Sequence, residues 1–155
     1  MFQLKVKEAL AAKFSLEKVI EHTKQHPLDF EPSIKIGRLY DRISVALEEI
    51  KYEEKNNENI KELGEEQFEK NDKGEFVMVK VEGSEEEKRK SIGWQINPDN
   101  KNFNEYIERT SKLQEQNLEI VNAEKMKSSD LNGLKMPITD LAGFFFLIEK
   151  DSKEN

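Results

Sequence analysis

The chain has 155 residues, of which 35% are apolar and 37% charged, with a formal net charge of −7. That length predicts one domain with a small core, over residues 1–150. The acidic balance argues against direct nucleic-acid binding, which needs clustered Lys and Arg to neutralise phosphates. The absence of cysteine excludes disulfides and thiolate metal sites and fits a reducing cytoplasm.

The opening MFQLKVKEALAAKF has no long apolar run, so no secretory signal is expected, and no window approaches a membrane span. A cytoplasmic protein is the expectation. Phe2, Leu4 and Val6 alternate with polar residues and predict a short strand. Leu10, Phe14, Leu16, Val19 and Ile20 predict a helix to about Gln25, with a break near Ser15. Pro27 biases His26 away from helical geometry, and PLDFEP (27–32) reads as a tight connection anchored by a buried Phe30.

Pro32 to Leu63 reads as one long helix. Ile36, Leu39, Tyr40, Ile43, Leu47 and Ile50 share one face. Pro32 suits a first turn and Gly64 a stop. The stripe positions that follow offer Glu53, Glu54 and Asn57, so the far half should be solvated. Some 30 residues would span roughly 45 Å, long enough to project from the body. NDKG (71–74) is a turn. Phe76–Val81 and Ile92–Ile96 predict two strands that pair with each other, a hairpin insertion over 72–98 at the tip of a helical hairpin. Between them SEEEKRKS is a helical turn or a charged loop. Phe103, Tyr106, Ile107 and Leu113 predict a helix returning antiparallel to the long one. LEIVNA (118–123) is a strand candidate that would pair with Phe2–Val6. A last helix from Ile138 or Thr139 should bury Leu141, Phe144, Phe145 and Ile148, and DSKEN (151–155) should fray.

Taken together, FQLKV, EPSIKIGRLYDRISVALEEI, NDKGEFV, LEIVNAEKMKSSDL and LKMPITDL give the chain a resemblance to small accessory proteins of unknown function encoded by bacteriophages. The resemblance covers most of the chain and rests on packing and turn signals. It implies a phage origin and a non-enzymatic role, and carries over no catalytic residue.

His22 and His26 are four apart, but two histidines beside a proline fall short of a metal site, and they also suit the negative end of a helix dipole. Carboxylates abound without an apolar pocket to raise a pKa. No phosphate loop, dinucleotide fingerprint, nucleophile elbow or zinc-hydrolase motif is present. No catalytic residue, metal or cofactor is expected.

Two surfaces remain. Between Glu48 and Glu69 nine acids face three bases. Glu48, Glu53, Glu54, Glu58 and Glu62 therefore offer a charge surface for a basic groove, a coiled tip that pairs with itself, or a solvated face held by pairs such as Glu48 with Lys51 and Glu58 with Lys61. Val77, Val79 and Trp94 on the insertion, and Phe146 and Leu147 in the FFFLI run, are candidate apolar contacts.

The expected fold is α+β and mainly helical, with a long antiparallel helical hairpin, a two-stranded insertion and a small sheet near the termini. The expected function is a protein-interaction module of phage type that binds a host or phage protein, as an inhibitor of a host or defence protein. The alternatives are a virion or tail assembly accessory, with a homo-oligomer built through Phe146 and Leu147, and an enzyme acting on a small molecule or nucleic acid.

Overall fold

The computed structural model describes residues 1–150, and the 151–155 tail lies outside them. The chain is α+β and mainly helical, with small antiparallel sheets. The described chain divides into two compact units, one of residues 1–52 with 112–150, the other of Glu53–Ser111.

In the first unit, strand β1 (Phe2–Lys5) pairs antiparallel with β6 (Asn117–Ile120), Leu4 opposite Leu118, as the alternation of both segments requires. Strand β6 stops where Asn122 takes a left-handed φ of 55°. Helix α1 (Val6–Thr23) begins directly after β1. The Glu8 carboxylate accepts the Lys5 N–H at 2.7 Å, and Val6 N–H donates to Gln116 O. The helix runs unbroken through Ser15, contrary to the expected interruption. Its buried face is Val6, Ala9, Ala12, Ser15, Leu16 and Val19, and Phe14 is exposed instead.

The small residues are explained by what lies on them. The C-terminal segment consists of α5 (Ile138–Leu141) and a 3-10 turn from Ala142 to Phe146. It crosses α1 so closely that a Cβ on Gly143 would stand 2.0 Å from the Ala11 carbonyl oxygen. The buried Gly143 N–H donates to Ser15 Oγ at 2.9 Å. The expected last helix is therefore a single α turn that tightens. This rotates the FFFLI run: Phe144 and Leu147 are buried and Phe145 is 70% exposed, where Phe145 was expected inside. Met126 N–H donates to Leu147 O and Glu149 N–H to Met126 O, tying this segment to the stretch after β6.

Helix α2 (Phe30–Glu49) buries Ile36, Leu39, Ile43, Ala46 and Leu47 against α1 and β6. Its entry is anchored by Leu28, which packs on the core, while Phe30 is exposed. The expected long helix is in fact two. Helix α2 ends at Glu49 with Ile50 as its C-cap, Lys51 adopts φ 54°, and α3 (Tyr52–Leu63) starts anew. The break falls where the apolar stripe runs out. The next positions on the line of Ile43, Leu47 and Ile50 are Glu53 and Glu54, which add no apolar contact to hold the helix on its path. The packed pair of helices is thus α1 with α2.

Two pins on this unit are electrostatic. Lys35 Nζ lies 2.9 Å from Asp130 Oδ2, which also accepts the Lys127 N–H, fixing the 3-10 turn Ser128–Leu131 against α2. Glu115 accepts from Lys5 at 2.5 Å and from Lys7.

Gly143→Ala should lower stability by about 2–3 kcal/mol and the melting temperature by about 5–10 °C, because the methyl meets backbone that cannot rotate away. Thermal denaturation followed by circular dichroism checks this. Hydrogen bonds from Lys5 and then Lys7 hold the Glu115 carboxyl at about 2, below its ordinary 4.5. A depressed carboxylate contributes stability above its ordinary value and loses it as pH falls through the folded one. Acid destabilisation between pH 4.5 and 2 should accordingly be shallower in Glu115→Gln, read from melting temperatures over that range.

Candidate protein-interaction surface

The Glu53–Ser111 unit is built from α3, four strands and α4 (Phe103–Gln114), which continues out of it. Strand β2 (Glu65–Phe68) pairs with β5 (Ser91–Gln95), and β3 (Met78–Lys80) with β4 (Glu87–Arg89), all antiparallel. This corrects the expected hairpin. Met78–Lys80 pairs inside the charged SEEEKRKS stretch, which is neither a helix nor a plain loop, and Ser91–Gln95 pairs back to the end of α3. The two ribbons meet at one point. Val77 N–H donates to Glu69 O, Lys90 N–H to Val77 O, and Glu69 N–H to Lys90 O. The NDKG turn forms as expected, with Asn71 Oδ1 accepting from Lys73 and Glu75 N–H groups.

Gly64 ends α3 as anticipated, and the reason is contact. A Cβ there would stand 2.3 Å from the Gln95 carbonyl oxygen and 2.6 Å from that of Ile60. Helix α4 lies antiparallel to α3. Asn102 Nδ2 donates to Leu63 O at 3.1 Å, and Gln114 Nε2 reaches the Tyr52 hydroxyl at 3.4 Å.

Within Glu53–Ser111 only Leu63 is buried, and α4 buries no side chain at all. Phe76, Met78, Ile92, Trp94 and Ile107 are all exposed, Ile92 to 63%. What cohesion the strands have is partly cationic. Arg89 stands 3.9 Å over the Phe76 ring and 5.9 Å over Phe68, with Lys70 at 5.1 Å from Phe76, and Phe68 meets Phe76 edge-on. Exposed contacts of this kind are worth about 0.5–1 kcal/mol each. A unit of about sixty residues is marginal even with a full core.

The anticipated contact residues separate. Glu62 is committed internally. Arg109 grips it at 2.8 and 3.4 Å and bonds Glu105 at 2.6 Å. The Arg109 hydrogen bond holds the Glu62 carboxyl below its ordinary range, and Glu62 and Glu105 raise Arg109. Glu54 also has an interaction partner. Glu48, Glu53 and Glu58 stay exposed, and Glu58 does not form the expected pair with Lys61. Val77 and Val79 are half-buried, with Val77 at the strand junction. Trp94 is exposed, but it lies opposite Glu66 rather than beside the two valines. Leu147 is fully buried and Phe146 packs half-buried on the core of the first unit, so neither is a free contact, and Phe145 takes that place. Sequence reasoning missed Met78 and Ile92. Ile92 alternates with Trp94 and Ile96 along its strand, and Met78 sits in an apolar run whose pairing strand, Glu87–Arg89, is wholly charged and offers it no apolar cover.

The His22 and His26 rings stack at 4.7 Å. No group of three or more His, Asp or Glu residues is placed to hold a metal among the described residues. No helix among them is long and apolar enough to cross a membrane. Compared with protein-family models, curated proteins and solved structures, the chain matches none of them.

Gly64→Ala should open the β2–β5 ribbon. Hydrogen–deuterium exchange is expected to quicken at Glu65–Phe68 and Ser91–Gln95 while amides of α1 keep their protection.

Proposed function

We propose that the chain is a non-enzymatic protein-interaction module, and that Glu53–Ser111 is the part that engages the partner. The observation that carries this reading is the mismatch inside that unit: one buried side chain against five exposed large apolar ones. The same segment holds sixteen carboxylates and ten cationic groups, six of the chain's seven excess negative charges. Exposed Trp, Ile and Met in a segment of acidic excess supply the two ingredients of a binding surface, apolar anchors and charge. Its complement is a protein surface that is basic around an apolar slot. The charge weighs against nucleic acid as the ligand.

The resemblance to phage accessory proteins narrows the proposal to a bacterial host or phage protein, with inhibition by occupation of a basic groove. Phe145, 70% exposed, favours a second reading, self-association in an assembly role.

A pull-down from bacterial lysate, with light scattering on the complex, separates these. Ile92→Asp combined with Trp94→Ala should lower affinity for the recovered partner about a hundredfold, as loss of two anchors does. Glu53→Lys with Glu58→Lys should chiefly slow association and weaken its dependence on salt. Unchanged binding in both variants would remove this unit from the contact. Recovery of a defined homo-oligomer that Phe145→Asp dissolves would select the assembly reading.

A further inference from the structure

An open groove of about 810 Å³ lies in the first unit between one face of α2 and the stretch that follows β6. Its α2 wall is Ile34, Lys35, Arg38, Leu39 and Arg42, and its opposite wall runs from Val121 to Glu124. Leu39 is its buried floor, while Ile34 and Val121 are 43% and 46% exposed.

The cations are unequally occupied. Lys35 is spent on Asp130. Arg38 makes no ion pair among the described residues. The closest carboxylate to Arg42 is its chain neighbour Asp41, with Nε 3.5 Å from Oδ2, and that Nε is buried without a hydrogen bond. Two guanidinium groups four residues apart on one helix repel each other. Here they do so in an otherwise acidic chain, facing a wall whose only carboxylate is Glu124. That wall also has backbone to offer. No N–H of Val121, Asn122 or Glu124 donates to a backbone carbonyl among the described residues, and Asn122 holds φ 55°.

We propose that this groove binds an extended acidic peptide segment of a partner protein. Its carboxylates would pair with Arg38 and Arg42, its backbone with the Val121–Glu124 wall, and an apolar side chain would lie between Ile34 and Val121. Planar carboxylates suit the guanidinium fork. The open trough and a charge row about one helical turn long suit a chain rather than an enclosed small molecule. This site is independent of the Glu53–Ser111 surface and carries the opposite charge.

The test is panning of a random peptide library of about ten-residue inserts on the intact chain, followed by fluorescence anisotropy with the selected peptides. Enriched peptides should combine Glu or Asp with Leu, Ile or Val and bind at one site, weakening with salt. They should shift the amide resonances of Val121–Glu124. Arg38→Glu and Arg42→Glu should each weaken binding by about tenfold or more. Arg38 is exposed, so its reversal leaves the core intact, and Val121→Glu, also at an exposed position, gives a second check by repelling the peptide from the other wall. Failure to enrich any peptide, enrichment of sequences without acids, binding indifferent to both Arg38→Glu and Val121→Glu, or complete displacement by inorganic phosphate at low millimolar concentration would overturn the proposal.

Discussion

The contact on which the first unit depends is the crossing of α1 by the chain around Gly143. Helix backbone and returning chain touch there with no side chain between them. Ala11 and Ser15 are the residues that Gly143 meets, and the Ser15 hydroxyl satisfies the one N–H that the approach would strand. From that crossing the other placements follow. Phe144 and Leu147, which follow it, are buried in the core, and the Met126 and Leu147 backbones clasp just beyond. The clasp draws in the stretch after β6, which the β1–β6 pairing has already set beside the start of α1. Residues from both ends of the chain therefore close one core, and the Glu53–Ser111 segment is spliced into the middle of the sequence without contributing a side chain to it.

The two units thus rest on different physics. The first is held by burial: aliphatic residues from α1, α2, β1, β6 and the C-terminal segment, at about 1.5–3 kcal/mol for each large side chain removed from water. The second is held by local terms, each small: two-stranded ribbons, a strand junction at Val77, guanidinium–ring contacts and the Arg109 bridge between Glu62 and Glu105. Exposed ion pairs contribute about 0–1 kcal/mol and isolated ribbons are marginal in water. Gly64 matters more here than a glycine usually does, because the contact it permits with Gln95 is what sets β5 against β2.

Where one interaction dominates, the sequence alone was readable. The stripe from Ile36 to Ile50, the alternation of Phe2, Leu4 and Val6, its match at Leu118 and Ile120, the stop at Gly64 and the NDKG turn all follow from periodicity or backbone freedom. Reading failed where two weak choices competed. Ser15 looked like a helix breaker because its partner, Gly143, lies 128 positions away. Lys51 carries no turn signal, and the break there coincides with the end of the apolar stripe, where Glu53 and Glu54 take the next positions. The strands of 65–95 have alternation but little apolar content, so pairing was settled by turn geometry and backbone junctions rather than by a buried face. Phe145 and Leu147 changed places because a 3-10 turn advances side chains by three residues rather than 3.6.

The same contrast bears on the candidate contacts. An apolar side chain in a well-buried unit is claimed by its own core, which is the fate of Leu147 and, in part, of Phe146. One in a unit without a core is left to face water, as Ile92 and Trp94 are. Charge divides along the same boundary. The inserted segment concentrates the acids, and the first unit, nearly neutral as a whole, keeps two arginines of α2 without strong internal partners. Repulsion between Arg38 and Arg42 opposes α2, and the solvated Glu53 and Glu58 of α3 add little to folding, whereas Glu62 is held by Arg109. Charges that serve no internal contact are the ones on which the two proposals rest. Under those proposals the partners differ, a basic one for the inserted segment and an acidic one for the α2 groove.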